Sequence, residues 1–216
     1  MKYKVDKYTK PNFTQSALIT IDVQNDFTLD NAPVFIQGTK EVIPNIAALL
    51  NAYRAKGLLI IHVIRLYFRD GSNADLCIRL DIEEGQEIVI PESDGAELVH
   101  DLKPNNTIMQ HPNDLLLGEF QQIGDNEYLM YKPRWGAFYR TRLEEFLKEC
   151  QIDTIIFSGC NFPNCPRTSI YEASERDFRV VLATNAISQL YKKGEEELNN
   201  IGVSLFTANE IEELLA

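Results

Sequence analysis

Short β-branched apolar runs alternating with helical repeats predict an α/β protein built on a mostly parallel sheet covered by helices on both faces. The first run, ALITIDV (17 to 23), is a short, β-branched and largely apolar stretch of the kind a strand buried on both sides requires. The stretch KEVIPNIAALLNAYRAKG (40 to 57) then spaces Val42, Ile46, Leu49, Leu50 and Tyr53 at helical intervals and stops at Gly57, a residue suited to a left-handed C-terminal cap. A second strand, LLIIHVIR, follows at once.

The same rhythm returns in the second half. EYLMYK (127 to 132) reads as a strand, TRLEEFLKECQ as a helix, DTIIFSG as a strand, PRTSIYEASERD as a helix and RVVLATN as a strand. A helix EEELNNIG, a short strand VSLFT and the acidic tail EIEELLA, expected as a solvated helix, close the pattern. Strands joined through helices imply right-handed βαβ units. Residues 66 to 126 break the rhythm: Gly, Pro, Asn and Asp are abundant and no long helix or strand pattern emerges. A loop-rich insertion of that length is either functional and interfacial, or a decoration or oligomer arm. With 216 residues, the chain is expected to fold as one domain spanning 1–216.

Composition removes several function classes. The net charge is −11 and no block of basic residues occurs, so nucleic acid is not an expected partner. The polar start MKYKVDKYTKPNFTQS has no signal-peptide core, and no segment approaches ~18 uninterrupted apolar residues, so a soluble, cytoplasmic protein with no membrane partner is expected. Cys77, Cys150, Cys160 and Cys165 form neither a disulfide framework nor paired CxxC motifs, and they read as reduced thiols.

Ligands of open parallel sheets bind beyond the carboxyl ends of the strands. The first strand ends at Asp22, the EYLMYK strand at Lys132, and DTIIFSG leads through a turn to Cys165, so an acid, a base and a thiol converge on one edge. Cys165 precedes Pro166, a residue favoured at the first helical position, which puts the sulfur at a helix N-terminus where the dipole favours thiolate. The lysine would act in the same direction, and the carboxylate could accept and return the thiol proton. Singly, the cysteine reads as a buried inert thiol, the aspartate as a turn cap and the lysine as a surface charge; the combination points to nucleophilic catalysis.

Arg65, at the end of the second strand, either grips a substrate carboxylate or pairs with an acidic residue of the insertion. Phe27, Phe68 and Trp135 either wall a pocket or belong to the core. His62 reads as a core histidine, His100 and His111 lack ligand-like spacing, and Cys160 reads as a small hydrophobe in a tight turn, with a resolving thiol as the alternative.

Three blocks of the sequence resemble, in order, the signature blocks of the isochorismatase-like cysteine hydrolases, relatives of nicotinamidases, N-carbamoylsarcosine amidases and ureidoacrylate hydrolases. They are ALITIDVQNDF, YKPRWGAFYRTRLEEFLKECQIDTIIFSGC, and the cysteine turn followed by TSIYEASERDFRVVLATNAIS. The resemblance implies a three-layer, Rossmann-like α/β/α fold with six strands, and a catalytic triad of Asp22, Lys132 and Cys165. It also implies a cis peptide between Cys160 and Asn161, and an oxyanion hole formed by the N–H groups of Asn161 and Cys165. Retention of Cys165 favours hydrolysis of a C–N bond in a small amide, ureide or carbamoyl compound over the vinyl ether chemistry of isochorismatases proper. Nicotinamidases carry an aspartate–histidine metal site after the second strand; RLYFRDGSNADLC has no histidine, so neither metal nor other cofactor is expected. The rival expectation is a non-catalytic or thiol-redox module using Cys160 and Cys165. A homo-oligomer, dimer or tetramer, is expected, with the insertion closing the site because its apolar pieces EIVI and NDLLLGEF need a surface to cover.

Overall fold

The apolar run at 17–23 forms the central strand of the sheet. In the computed structural model, which describes residues 6–105 and 108–215, β1 (Ser16–Ile21) leads to a short helix α1 (Asn25–Thr28), the long α2 (Thr39–Lys56) and β2 (Leu59–Ile64). After these come α3 (Leu76–Glu83), α4 (Pro112–Leu116), β3 (Gln121–Gly124) and β4 (Glu127–Tyr131). The alternation then runs α5 (Leu143–Glu149), β5 (Thr154–Gly159), α6 (Cys165–Ser174), β6 (Arg179–Ile187), α7 (Lys192–Asn200), β7 (Ser204–Phe206) and α8 (Ala208–Leu215). The first five residues of the polar N-terminal segment, and 106 and 107 of the insertion, lie outside the described residues.

Among the described residues, seven strands form one sheet in the order β3-β4-β2-β1-β5-β6-β7. Every pairing is parallel except that of β3 with β4. The resemblance implied six strands; the seventh is β3, whose sequence QQIG buries only Ile123 and so shows no apolar alternation. Chain order reverses beside β1, with β2 on one side and β5 on the other, and this places the switch point at the carboxyl end of β1.

All six residues of β1 are buried, and they split between two cores. Leu18 packs with Ile46, Leu49, Leu50 and Tyr53 of α2, whereas Ala17, Ile19 and Ile21 pack with Leu143, Leu147 and Ile170 of α5 and α6. Burying each large aliphatic side chain is worth ~1.5–3 kcal/mol, so two filled faces explain why the strand carries apolar residues on both sides. Helix α2 ends as its sequence dictates: Gly57 sits at φ 63°, its N–H bonds to the Arg54 carbonyl, and Leu58 N–H reaches the Tyr53 carbonyl. Helix α8 is not merely a solvated tail, because Ala208 and Ile211 are buried in the α2-side core.

The insertion departs from expectation in the same manner. It contains α3, α4 and β3, and the EIVI piece is buried inside the chain itself, with Ile88 and Val89 fully buried in the α2-side core. Only part of its apolar surface is left uncovered, chiefly Leu76, Leu80, Met109 and Leu117. The segment is pinned beside β1 by Asn25 N–H to the Glu97 carbonyl and Val99 N–H to the Val23 carbonyl, at 2.9 and 3.1 Å. No helix among the described residues is long and apolar enough to cross a membrane.

Candidate active site

Three strand ends deliver the chemistry. Asp22 follows β1 in the left-handed region, φ 53°, a conformation aspartate tolerates better than most residues. Lys132 follows β4 and is fully buried, and its Nζ donates to Asp22 Oδ2 at 2.8 Å. Cys165 opens α6 and is partly buried. Gly159, at the end of β5, has φ 115°, and a Cβ there would overlap the Ile21 carbonyl, so only glycine lets the β5 turn approach β1 this closely.

The turn from Gly159 to Cys165 is built from the main chain outward. The Cys160–Asn161 peptide is cis. Cys160 N–H donates to the Ile21 carbonyl, Phe162 N–H to the Ser188 carbonyl, Asn164 N–H to the Asn161 carbonyl and Arg167 N–H to the Phe162 carbonyl. Positions 163 and 166 are prolines and have no N–H. Among the described residues, the amides of Asn161 and Cys165 are thus the two in this turn without a backbone acceptor.

The surroundings of the sulfur act against the thiolate that a helix N-terminus favours. Burial pushes the Cys165 thiol above its usual range, and the Asp22 carboxylate adds to this; Lys132 and Arg65 pull the other way without prevailing. The thiol form is thereby favoured at the start of α6, beside Asp22. Asp22 Oδ1 is buried and, among the described residues, has no hydrogen-bond partner, so it is the oxygen free to receive a proton. Cys160 is more strongly affected, pushed up to about 12 by burial. All four cysteines are free.

A cavity of about 200 Å³ opens over the sulfur, lined by Asp22, Arg65, Asn161 and Cys165 and walled by Phe27 and Trp135. Phe68 is a correction: it is 40% exposed and lies outside the cavity lining, whereas its neighbour Tyr67 turns inward. Of the two readings of Arg65, the structure shows the pairing with the insertion: its Nη1 lies 2.8 Å from Asp75 Oδ2, while Nη2 lies 3.9 Å from the Cys165 sulfur. Tyr67, Asp75 and Gln24 escaped the sequence reading. Gln24 clamps the Arg65 backbone at both its N–H and its carbonyl, each at 2.8 Å. A larger groove of about 490 Å³ lies at the amino ends of β5 and β6 beside Asp153 and Arg179, but its lining includes no cysteine, histidine or lysine.

Among the described residues no group of three or more His, Cys, Asp or Glu is placed to hold an ion, and the segment after β2 has no histidine. His62 lies mid-strand in the core, bonded to Thr20 and Glu127.

A doubly covered parallel sheet with a thiol, a carboxylate and an ammonium at its switch point has the architecture of an isochorismatase-like hydrolase. The Isochorismatase domain model matches residues 16–206, and the chain belongs to that family. It is 30% identical over 207 residues to a protein of Arabidopsis thaliana named a probable inactive nicotinamidase, covering 93% of this chain and 96% of that one. An N-carbamoylsarcosine amidase of an Arthrobacter species is 27% identical over 173 residues, 79% of this chain and 58% of the relative. The crystal structure of an isochorismatase family protein from Desulfovibrio vulgaris superposes with a TM-score of 0.79 at 29% identity, covering 93% of this chain and 98% of the other.

Proposed function

We propose that this chain, acting as one domain over 1–216, is a metal-independent cysteine hydrolase that cleaves the C–N bond of a small amide, ureide or carbamoyl compound. The observation that carries the reading is the buried Lys132–Asp22 pair, with one carboxylate oxygen unpartnered among the described residues, lining the same small cavity as Cys165. Asp22 takes the thiol proton as the sulfur attacks the substrate carbonyl. Lys132 holds the carboxylate in place and, with Arg65, stabilises the developing thiolate. The N–H groups of Asn161 and Cys165 receive the oxyanion, a contact whose loss typically costs ~10²-fold or more in rate. The proton on Asp22 then passes to the departing amine or ammonia, leaving a thioester on Cys165. Asp22 next deprotonates a water that hydrolyses it.

The printed name of the Arabidopsis relative makes a non-catalytic module the second reading. The thiol-redox form of that reading is disfavoured because Cys160, pushed up to about 12, is a poor source of resolving thiolate. Ammonia release from a panel of small amides and ureides, with the acyl adduct on Cys165 trapped by mass spectrometry, supports hydrolysis. A panel without turnover or adduct favours the module. The reading also includes a homo-oligomer joined through the insertion, where Leu76 and Leu80, one helical turn apart on α3, are 84% and 62% exposed. A mass near that of a monomer in light scattering, with full activity, removes that part.

A further inference from the structure

Arg65 and Asp75 define what the cavity accepts, and this inference rests on the hydrolase reading above. Three charged side chains line the cavity: Asp22, Arg65 and Asp75. Lys132, behind them, is bonded to Asp22. Each carboxylate therefore already has its cation, and the site presents balanced charge to whatever enters.

Arg65 is not free to turn to a substrate carboxylate. Its side chain is 3% exposed, its backbone is clamped by Gln24, Nη1 is paired to Asp75 and Nη2 is aimed at the sulfur. Asp75 is equally fixed, since Tyr67 donates its hydroxyl to the same Oδ2 at 2.9 Å. A substrate carboxylate brought to Arg65 would sit beside Asp75 and add a second negative charge against a guanidinium whose charge is already cancelled. A buried charge without its own counter-charge is strongly unfavourable. The Arg65–Asp75 contact is nevertheless an ion pair without hydrogen-bond alignment, so Nη1 still lacks a hydrogen-bond acceptor among the described residues. A neutral acceptor, such as an amide carbonyl or a ring nitrogen, meets that need without adding charge. Phe27, Val34, Ile36, Ile78 and Trp135 supply apolar walls for the rest of such a molecule.

We propose that Arg65, held by Asp75 and Tyr67, is the specificity-determining residue, and that it restricts the site to small uncharged amides, excluding those with a carboxylate beside the scissile bond. Asp75 is a positioning residue that cancels the charge of Arg65.

The test reads charge selection separately from turnover. Alkylation of Cys165 by iodoacetamide and by iodoacetate is followed by peptide mapping, and the ratio of the two rates is divided by the same ratio for a small neutral free thiol. The normalised ratio is expected to favour the neutral reagent by about tenfold. Asp75→Asn should move it towards iodoacetate by a similar factor, and Asp75→Glu should restore it. A wild-type ratio at or below that of the free thiol overturns the proposal, as does a folded Asp75→Asn variant with an unmoved ratio. If Asp75→Asn does not fold, the wild-type ratio decides. In parallel, ammonia release is measured from isocrotonamide and from maleamate, which differ by a methyl group against a carboxylate. Preference for maleamate overturns the proposal. Absence of turnover with both and with the wider amide and ureide panel, alongside the expected alkylation ratio, removes the hydrolase reading and leaves the charge selection standing.

Discussion

Two clusters of buried charge sit in this sheet, and they differ in one respect. At the amino end of β4, Glu127 accepts from Arg54 Nη2 and His62 Nε2 on one oxygen and from Arg54 Nε on the other, at 2.7–2.8 Å. The chain of contacts ends at Thr20, whose hydroxyl lies 2.7 Å from His62 Nδ1. At the carboxyl end of β1, Asp22 spends one oxygen on Lys132 and leaves the other without a partner, beside a thiol and a cavity. Both clusters are buried and both contain a carboxylate with a cation. Burial and charge therefore do not separate a reactive site from a structural one; an unspent atom facing a cavity does.

The sharpest way to break this contrast is to disable each carboxylate in turn. Cys165→Ala should abolish turnover, and Asp22→Asn should lower kcat by roughly 10²–10⁴-fold, since an amide cannot accept the thiol proton. In both variants cooperative unfolding should persist, read by circular dichroism. Wild-type rates in either would remove that residue from the mechanism. Glu127→Gln should do the reverse: stability should fall by about 3–5 kcal/mol, because a buried cation loses its partner, while kcat/KM of the folded fraction stays unchanged. A large change in kcat/KM there would mean the two clusters are coupled.

Acid sharpens the comparison further. Burial alone would raise the Glu127 carboxyl, but hydrogen bonds from Arg54 and His62 hold it down at about 2, against an ordinary 4.5. A depressed carboxyl contributes stability that is present above its unfolded value and lost as pH falls, so the loss should run from pH 4.5 down to about 2. Its full size is about 3 kcal/mol, read from urea midpoints across that range, and Glu127→Gln should flatten the profile. A variant with the same acid slope as wild type would place the acid lability elsewhere. The smallest expected effect is none: dialysis against a strong chelator should leave both activity and midpoint unchanged, and loss of activity restored by zinc would overturn metal independence.

The sequence made these regions legible to different degrees. Asp22 and Lys132 could be singled out because each sits where a periodic strand stops, and Cys165 because it opens the helix after the turn that follows another; strand ends converge by topology. The upward shift of the Cys165 thiol could not be read, because the burial and the Asp22 charge that cause it are tertiary. Asp75 lies ten residues beyond Arg65 in a loop without periodicity, so no spacing rule links them. Phe68 rather than Tyr67 is the pocket candidate from sequence for the same reason: outside a strand or helix, nothing in the pattern says which neighbour points inward. The strand β3 was missed because an edge strand of four residues with one buried side chain has no repeat to detect.

The bond from Cys160 N–H to the Ile21 carbonyl, 2.8 Å long and one residue before Asp22, ties the sulfur-bearing turn to the acid through the main chain. Nucleophile and base thus ride on a single joint, whereas Asp75 reaches the cavity as a side chain from another segment. For an engineer these are separate controls. On the proposed mechanism the spacing of sulfur and carboxylate is set by the scaffold, whereas selection of the guest would be set at residue 75, in a different part of the chain.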